Sequence, residues 1–141
     1  MSATAPPAST STPTTTSSLR RRAAGVATAV LACVLIWAVG ELAGVDFTIE
    51  YPEQPARVIG PGAVVTASLG AALLGWAALA ALERLTRRAG VVWTVLAVVV
   101  ALISLGPVFG TEATGGAKLT LGAMHLAVAA ALISLLPTRR R

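Results

Sequence analysis

Charged residues make up only 12% of the chain, about half the share of an ordinary soluble domain, while 55% of residues are hydrophobic. A surface so poor in charge excludes a soluble globular domain. Cysteine occurs once, at Cys33, which excludes an intramolecular disulfide and any enzyme that works through paired thiols. Histidine also occurs once, at His125. No serine-histidine-acid set, metal-ligand cluster or pair of carboxylates falls within the apolar segments, so the chain reads as non-enzymatic, with no cofactor and no metal. The formal charge is +5, but no zinc-ligand, Gly-rich phosphate or aromatic RNA-binding pattern accompanies it, so nucleic acid is not the implied partner.

What the sequence has in quantity is long apolar runs. Charged residues divide it into four uncharged stretches, 23–40, 58–82, 89–111 and 119–138, which are 18, 25, 23 and 20 residues long by subtraction. A hydrocarbon layer about 30 Å thick needs roughly 20 apolar residues at 1.5 Å rise each. Backbone amides in lipid must be paired within their own segment unless a barrel closes, and barrel strands alternate polar and apolar residues. These stretches do not alternate. The reading is an all-α membrane protein: a four-transmembrane-helix, antiparallel up-and-down bundle with a short outer hairpin between helices 1 and 2. Helices are placed at about 23–43, 61–82, 91–109 and 119–136, within a transmembrane domain of residues 20–138. Pro61 suits a first helical turn, Gly106-Pro107 stops or kinks the third helix, and Pro137 ends the fourth.

Residues 1–19 are nearly all Ser, Thr, Ala and Pro and cannot bury enough surface to offset the entropy of ordering, so they read as a disordered tail. Arg20-Arg21-Arg22 followed by an apolar stretch also fits a signal sequence, and Val30-Leu31-Ala32-Cys33 fits a lipoprotein cleavage box. The apolar run continues beyond Cys33 through Val39, longer than a signal core, so the segment reads as an uncleaved anchor. Orientation follows from the basic residues. Arg20, Arg21, Arg22, Arg84, Arg87, Arg88, Arg139, Arg140 and Arg141 lie on one side, and only Arg57 and Lys118 on the other. Nine against two places both termini, including the basic end 139–141, in the cytoplasm of a bacterial plasma membrane. The arginines are expected to attract anionic headgroups there, at about 1 kcal/mol each. Trp76 and Trp93 are placed near the inner interface, and Trp37, Phe47, Tyr51 and Phe109 near the outer one.

Helices in lipid associate through close backbone approach, which small residues four apart permit. Helix 2 has two such rows, Gly62-Thr66-Gly70 and Ala67-Ala71-Gly75, and helix 4 has Ala123-Ala127-Ala131. Helix 2 is therefore expected to be the most central, and short links place helix 1 beside helix 4. In the loop 44–60, Val45, Phe47, Ile49 and Tyr51 alternate with Asp46, Thr48 and Glu50. This pattern reads as a small hairpin whose apolar face rests on the bundle mouth, or as an interfacial loop with no ligand.

Ionisable groups within spans are costly, and Glu41 and His125 are the two here. Their depths differ by roughly 6 Å at 1.5 Å per residue, so they form a possible intramembrane pair able to relay protons or bind a cation. The competing reading has Glu41 reaching the interface and His125 bonding a neighbouring carbonyl. Thr66, Ser68, Ser104, Thr120 and Ser134 can bond a carbonyl one turn back, and Glu83 can pair weakly with Arg87.

Gly44-Val45-Asp46, Val58-Ile59-Gly60-Pro61, Gly75-Trp76, Leu82-Glu83-Arg84, Val92-Trp93-Thr94, Leu105-Gly106-Pro107 and Met124-His125-Leu126 occur in that order. In order and spacing the chain resembles an uncharacterised four-span membrane family of high-GC actinobacteria, domain of unknown function six-zero-six-nine, over residues 20–137. The resemblance implies a four-helix membrane domain and no activity, substrate or cofactor. The functional expectation is a non-enzymatic accessory or interaction protein that partners itself or another membrane protein. The alternative is a small transporter or proton-linked channel using Glu41 and His125. Reporter enzymes fused after Tyr51 and after Glu112 are both expected to be active outside the cell, and cytoplasmic activity of either breaks the orientation.

Overall fold

The structure is a computed structural model that describes residues 15–50, 55–110 and 112–137. Its elements, in chain order, are α1 (Thr15–Leu42), β1 (Thr48–Ile49), β2 (Arg57–Val58), α2 (Pro61–Leu85), α3 (Ala89–Gly110) and α4 (Gly115–Leu135). Each helix carries a stretch long and apolar enough to cross a bilayer, with α1 doing so over Ser18–Leu42. Leu74, Leu102 and Ile103 are 74%, 62% and 69% exposed, which in water would be prohibitive and in hydrocarbon costs nothing. The helices follow one another round the bundle, and α4 returns to pack along α1.

Helix ends differ from the sequence reading where a cap or a charged residue lets the helix run on. α1 begins at Thr15, inside the segment read as a disordered tail to residue 19. Once a helix is nucleated each further residue adds a hydrogen bond, and Leu19 and the three arginines are good helix formers. Residues 1–14 and the basic residues Arg139, Arg140 and Arg141 lie outside the described residues. α2 continues through Glu83 and Arg84 to Leu85, with the Thr86 amide bonded to the Leu82 carbonyl. α3 passes through Pro107 to Gly110; the proline costs the bond to the Ile103 carbonyl only, and the carbonyls of the last turn have no helical partner. One of those carbonyls, on Phe109, accepts from Lys118 Nζ at 3.3 Å. α4 starts four residues early because the Thr114 hydroxyl accepts from the Ala117 amide at 3.2 Å.

Two apolar clusters fill the interior. One joins Val26, Ala29, Ala72, Leu79, Trp93, Ala131, Leu132 and Leu136. The other joins Cys33, Phe47, Val64 and Met124. The closest helix pair is α1 and α4, because α1 turns small residues toward α4. Ala29 has no exposed surface, and a Cβ on Gly25 would stand 2.9 Å from Leu136 Cδ1. α2 is therefore not the central element. Its inward stripe is Val64, Ser68, Ala72 and Leu79. Gly62, Thr66, Ala67 and Ala71 are exposed, and Cβ atoms on Gly62 or Gly70 would meet nothing within 4 Å. Only Gly75 of the two rows makes a close contact, against Leu132 and Trp93. Small residues mark where a backbone can approach closely, and the larger apolar stripe decides which face turns inward. In α4, similarly, Ala131 is buried and Ala123 exposed.

Two aromatics placed at the interface by sequence are core residues. Trp93 is 4% exposed, and its indole N–H donates to the Leu132 carbonyl at 3.4 Å. Phe47 is 2% exposed and lies over Gly40, where a Cβ would fall 2.7 Å from Phe47 Cζ and 3.2 Å from Thr120 Cγ2. Phe109 is 61% exposed, and Tyr51 is outside the described residues. Gly40→Ala is expected to destabilise the protein by about 1–3 kcal/mol through overpacking. Gly70→Ala, with open space before it, should be neutral or slightly stabilising. Thermal unfolding in detergent checks both.

Candidate functional site

Polar side chains concentrate at three levels: the end that carries the ribbon, the interior of the bundle, and the end that carries the arginines. At the ribbon end Gly44, with φ +74°, turns the chain out of α1. Strand residues then alternate: Phe47 and Ile49 are buried while Asp46 and Glu50 are exposed. β1 and β2 pair antiparallel, Thr48 with Val58 and Ile49 with Arg57. Trp37 of α1 holds this ribbon down. Its indole N–H donates to the Ile59 carbonyl at 3.0 Å, and its ring lies 6.2 Å from that of Phe47. The α3–α4 link joins in: the amides and carbonyls of Glu50 and Glu112 bond each other at 3.1 and 3.3 Å, and the Thr114 hydroxyl donates to the Asp46 carbonyl at 3.3 Å. The arrangement plugs the bundle mouth with Phe47 and Ile49 and leaves Asp46, Glu50 and Glu112 in the exposed layer above.

Within that layer Asp46 has a defined state. Hydrogen bonds from Thr48, from the hydroxyl first and the amide second, hold the Asp46 carboxyl below its ordinary value; the amide bond is 2.9 Å. These bonds favour the ionised form.

In the bundle interior Glu41 and His125 are not brought together. Glu41 is exposed at the end of α1. The half-buried His125 has Nδ1 2.8 Å from the carbonyl of Leu121, one turn back on its own helix, so Nδ1 carries the proton and donates. The contact of Gly75 with Leu132 fixes the relative depth of α2 and α4. Seven residues toward the ribbon on each helix come Ser68 and His125, so the histidine is level with buried Ser68. The five hydroxyls named from sequence all bond within their own helices. Thr66 donates to the Gly62 carbonyl at 2.8 Å, Ser68 to Val64 at 2.7 Å, Ser104 to Ala101 at 2.8 Å, Thr120 to Gly116 at 2.8 Å, and Ser134 to Ala130 at 2.6 Å. Cys33 Sγ contacts the Met124 carbonyl at 3.7 Å. No group of three metal-ligating side chains occurs among the described residues.

The arginine end holds an ion pair that sequence spacing did not indicate. Glu83 does not pair with Arg87; both of its oxygens stand 2.6 Å from Arg22 Nη2. The pair joins the start of α1 to the end of α2 across 61 residues of sequence. The side chains are 12% and 26% exposed. The pairing was hidden because residues four apart on one helix are read from spacing, whereas residues on two helices meet only once the bundle forms.

Residues 13–141 match the model of DUF6069, a family of unknown function. The chain belongs to this family. The DUF6069 match covers nearly the whole sequence, including the ribbon and both charged ends. No curated protein and no solved structure matches the chain.

Two outcomes follow. Glu83→Gln leaves Arg22 mostly buried without its counter-charge and should cost on the order of 2 kcal/mol, between an exposed and a fully buried pair. Arg84→Gln, at an exposed position, should cost much less by the same thermal unfolding. Because the folded-state value of Asp46 lies below its unfolded value, its contribution is present above about pH 4 and is lost as pH falls through the lower, folded value. The protection factor of the Ile59 amide, whose N–H bonds the Phe47 carbonyl, should therefore fall below about pH 4, and that dependence should vanish in Asp46→Asn.

Proposed function

We propose that this DUF6069 protein is a non-enzymatic accessory or interaction protein of the bacterial plasma membrane, with both termini in the cytoplasm, which binds a helix of another membrane protein or of a second copy along α2. The observation that carries this reading is the direction of the small-residue rows. Gly62, Thr66, Ala67 and Ala71 are exposed, outside the buried stripe of Val64, Ser68, Ala72 and Leu79, and among the described residues nothing lies within 4 Å of a Cβ on Gly62 or Gly70. Glycine and alanine turned to lipid give up little lipid contact and allow a second backbone to come close.

A transport reading has less support. The hydroxyls and the imidazole within the helices are bonded to their own backbones, Phe47 and Ile49 fill the mouth, and Glu41 does not meet His125. The excess of arginines at one end supports the orientation.

Single cysteines at Ala67 and Ala71, introduced in a Cys33→Ala background, should crosslink in native membranes either to a second copy or to a specific partner. A cysteine at Val98, on the exposed face of α3, should not. Equal crosslinking from both helices, or none from α2, overturns the reading.

A further inference from the structure

The turn between α2 and α3 borders an open hollow of about 320 Å³. Pro137 and buried Leu79 give it an apolar part, and Thr86, Arg87, Arg88 and the first turn of α3 complete its lining. The one acid in its wall, Glu83, is already neutralised by Arg22. Arg87 and Arg88 are exposed and have no acidic partner among the described residues, so the hollow carries uncompensated positive charge. The backbone adds to it. The Val91 and Val92 amides bond the Arg88 carbonyl, while the Ala89 and Gly90 amides have no backbone acceptor among the described residues, at the positive end of a 22-residue helix. A Cβ on Gly90 would meet nothing within 4 Å, so the approach is open.

Cationic donors beside an apolar part, at the end of a membrane bundle, complement a phosphate that is joined to hydrocarbon. We propose that this hollow binds the phosphodiester headgroup of an anionic phospholipid. Arg87 and Arg88 clamp the phosphate oxygens, the α3 amides donate to them, and the glycerol end rests on Leu79 and Pro137. The site rests on the membrane reading above; the proposed orientation decides only which leaflet supplies the lipid.

The test uses full-length protein in phosphatidylcholine nanodiscs containing phosphatidylglycerol in both leaflets, so that an error of orientation does not alter the result. Lipid retention is read by native mass spectrometry. Arg87→Gln with Arg88→Gln should lower phosphatidylglycerol affinity at least tenfold, and Arg20→Gln with Arg21→Gln, two exposed arginines at the same end, no more than about twofold, one such pair being worth little at a diffuse surface. Equal losses from the two pairs mean diffuse surface attraction and overturn the site. Gly90→Asp places a carboxylate on the free amides: it should raise the unfolding temperature and abolish lipid retention, a split that a purely structural role would not produce. If millimolar inorganic phosphate displaces the lipid completely, the hollow is a free-phosphate site and the lipid assignment fails.

Discussion

Hydrocarbon offers no hydrogen bonds, and that single constraint organises the molecule. Every polar group carried into a span must find its partner within the protein. Here most find it one turn back on the same helix, as His125 does on Leu121 and Ser134 on Ala130. Few side-chain bonds are then left to tie helix to helix. Trp93 to Leu132 and Arg22 to Glu83 are two that do so. Cohesion comes instead from shape: Gly25, Ala29 and Gly40 let α1 lie against α4 and Phe47, and Gly75 seats Leu132 and the Trp93 ring.

The two ends of the bundle are closed by different physics. At the ribbon end closure is apolar and backbone-mediated, with Phe47 and Ile49 beneath a layer of acids and the Glu50–Glu112 bridge tying the two links together. At the arginine end closure is ionic, through the pair from Arg22 to Glu83 beside an open, positively charged hollow. One end is sealed against the aqueous side, and the other presents charge to it.

Much of the architecture was legible in the sequence, because lipid makes spans conspicuous: a run without charge, about 20 residues long, has one stable conformation. The four helices followed from that, and the return of α4 to α1 from the short links between spans. The ends of helices were less legible, since Thr114 acts as a cap and Pro107 is tolerated for local reasons that hydropathy does not register. Faces were least legible. Gly62, Thr66 and Gly70 have the spacing of a packing row, but direction depends on the competing stripe through Val64 and Ser68, and alanine is too common here to reveal it. Trp93 and Phe47 went inward for the same reason: a ring beside glycine fills a hole, and the hole exists only in three dimensions. The Glu41–His125 pair rested on depth alone, and depth says nothing about azimuth.

α1 has 28 residues, so at 1.5 Å each it is about 42 Å long, some 12 Å more than the hydrocarbon it crosses. The excess stands at the arginine end as a stiff mast, stayed at its foot by Glu83. Its far end carries Trp37 and Gly40 beneath the ribbon, so one unbroken rod bears both the anchor at its charged foot and the contacts that seat the opposite cap.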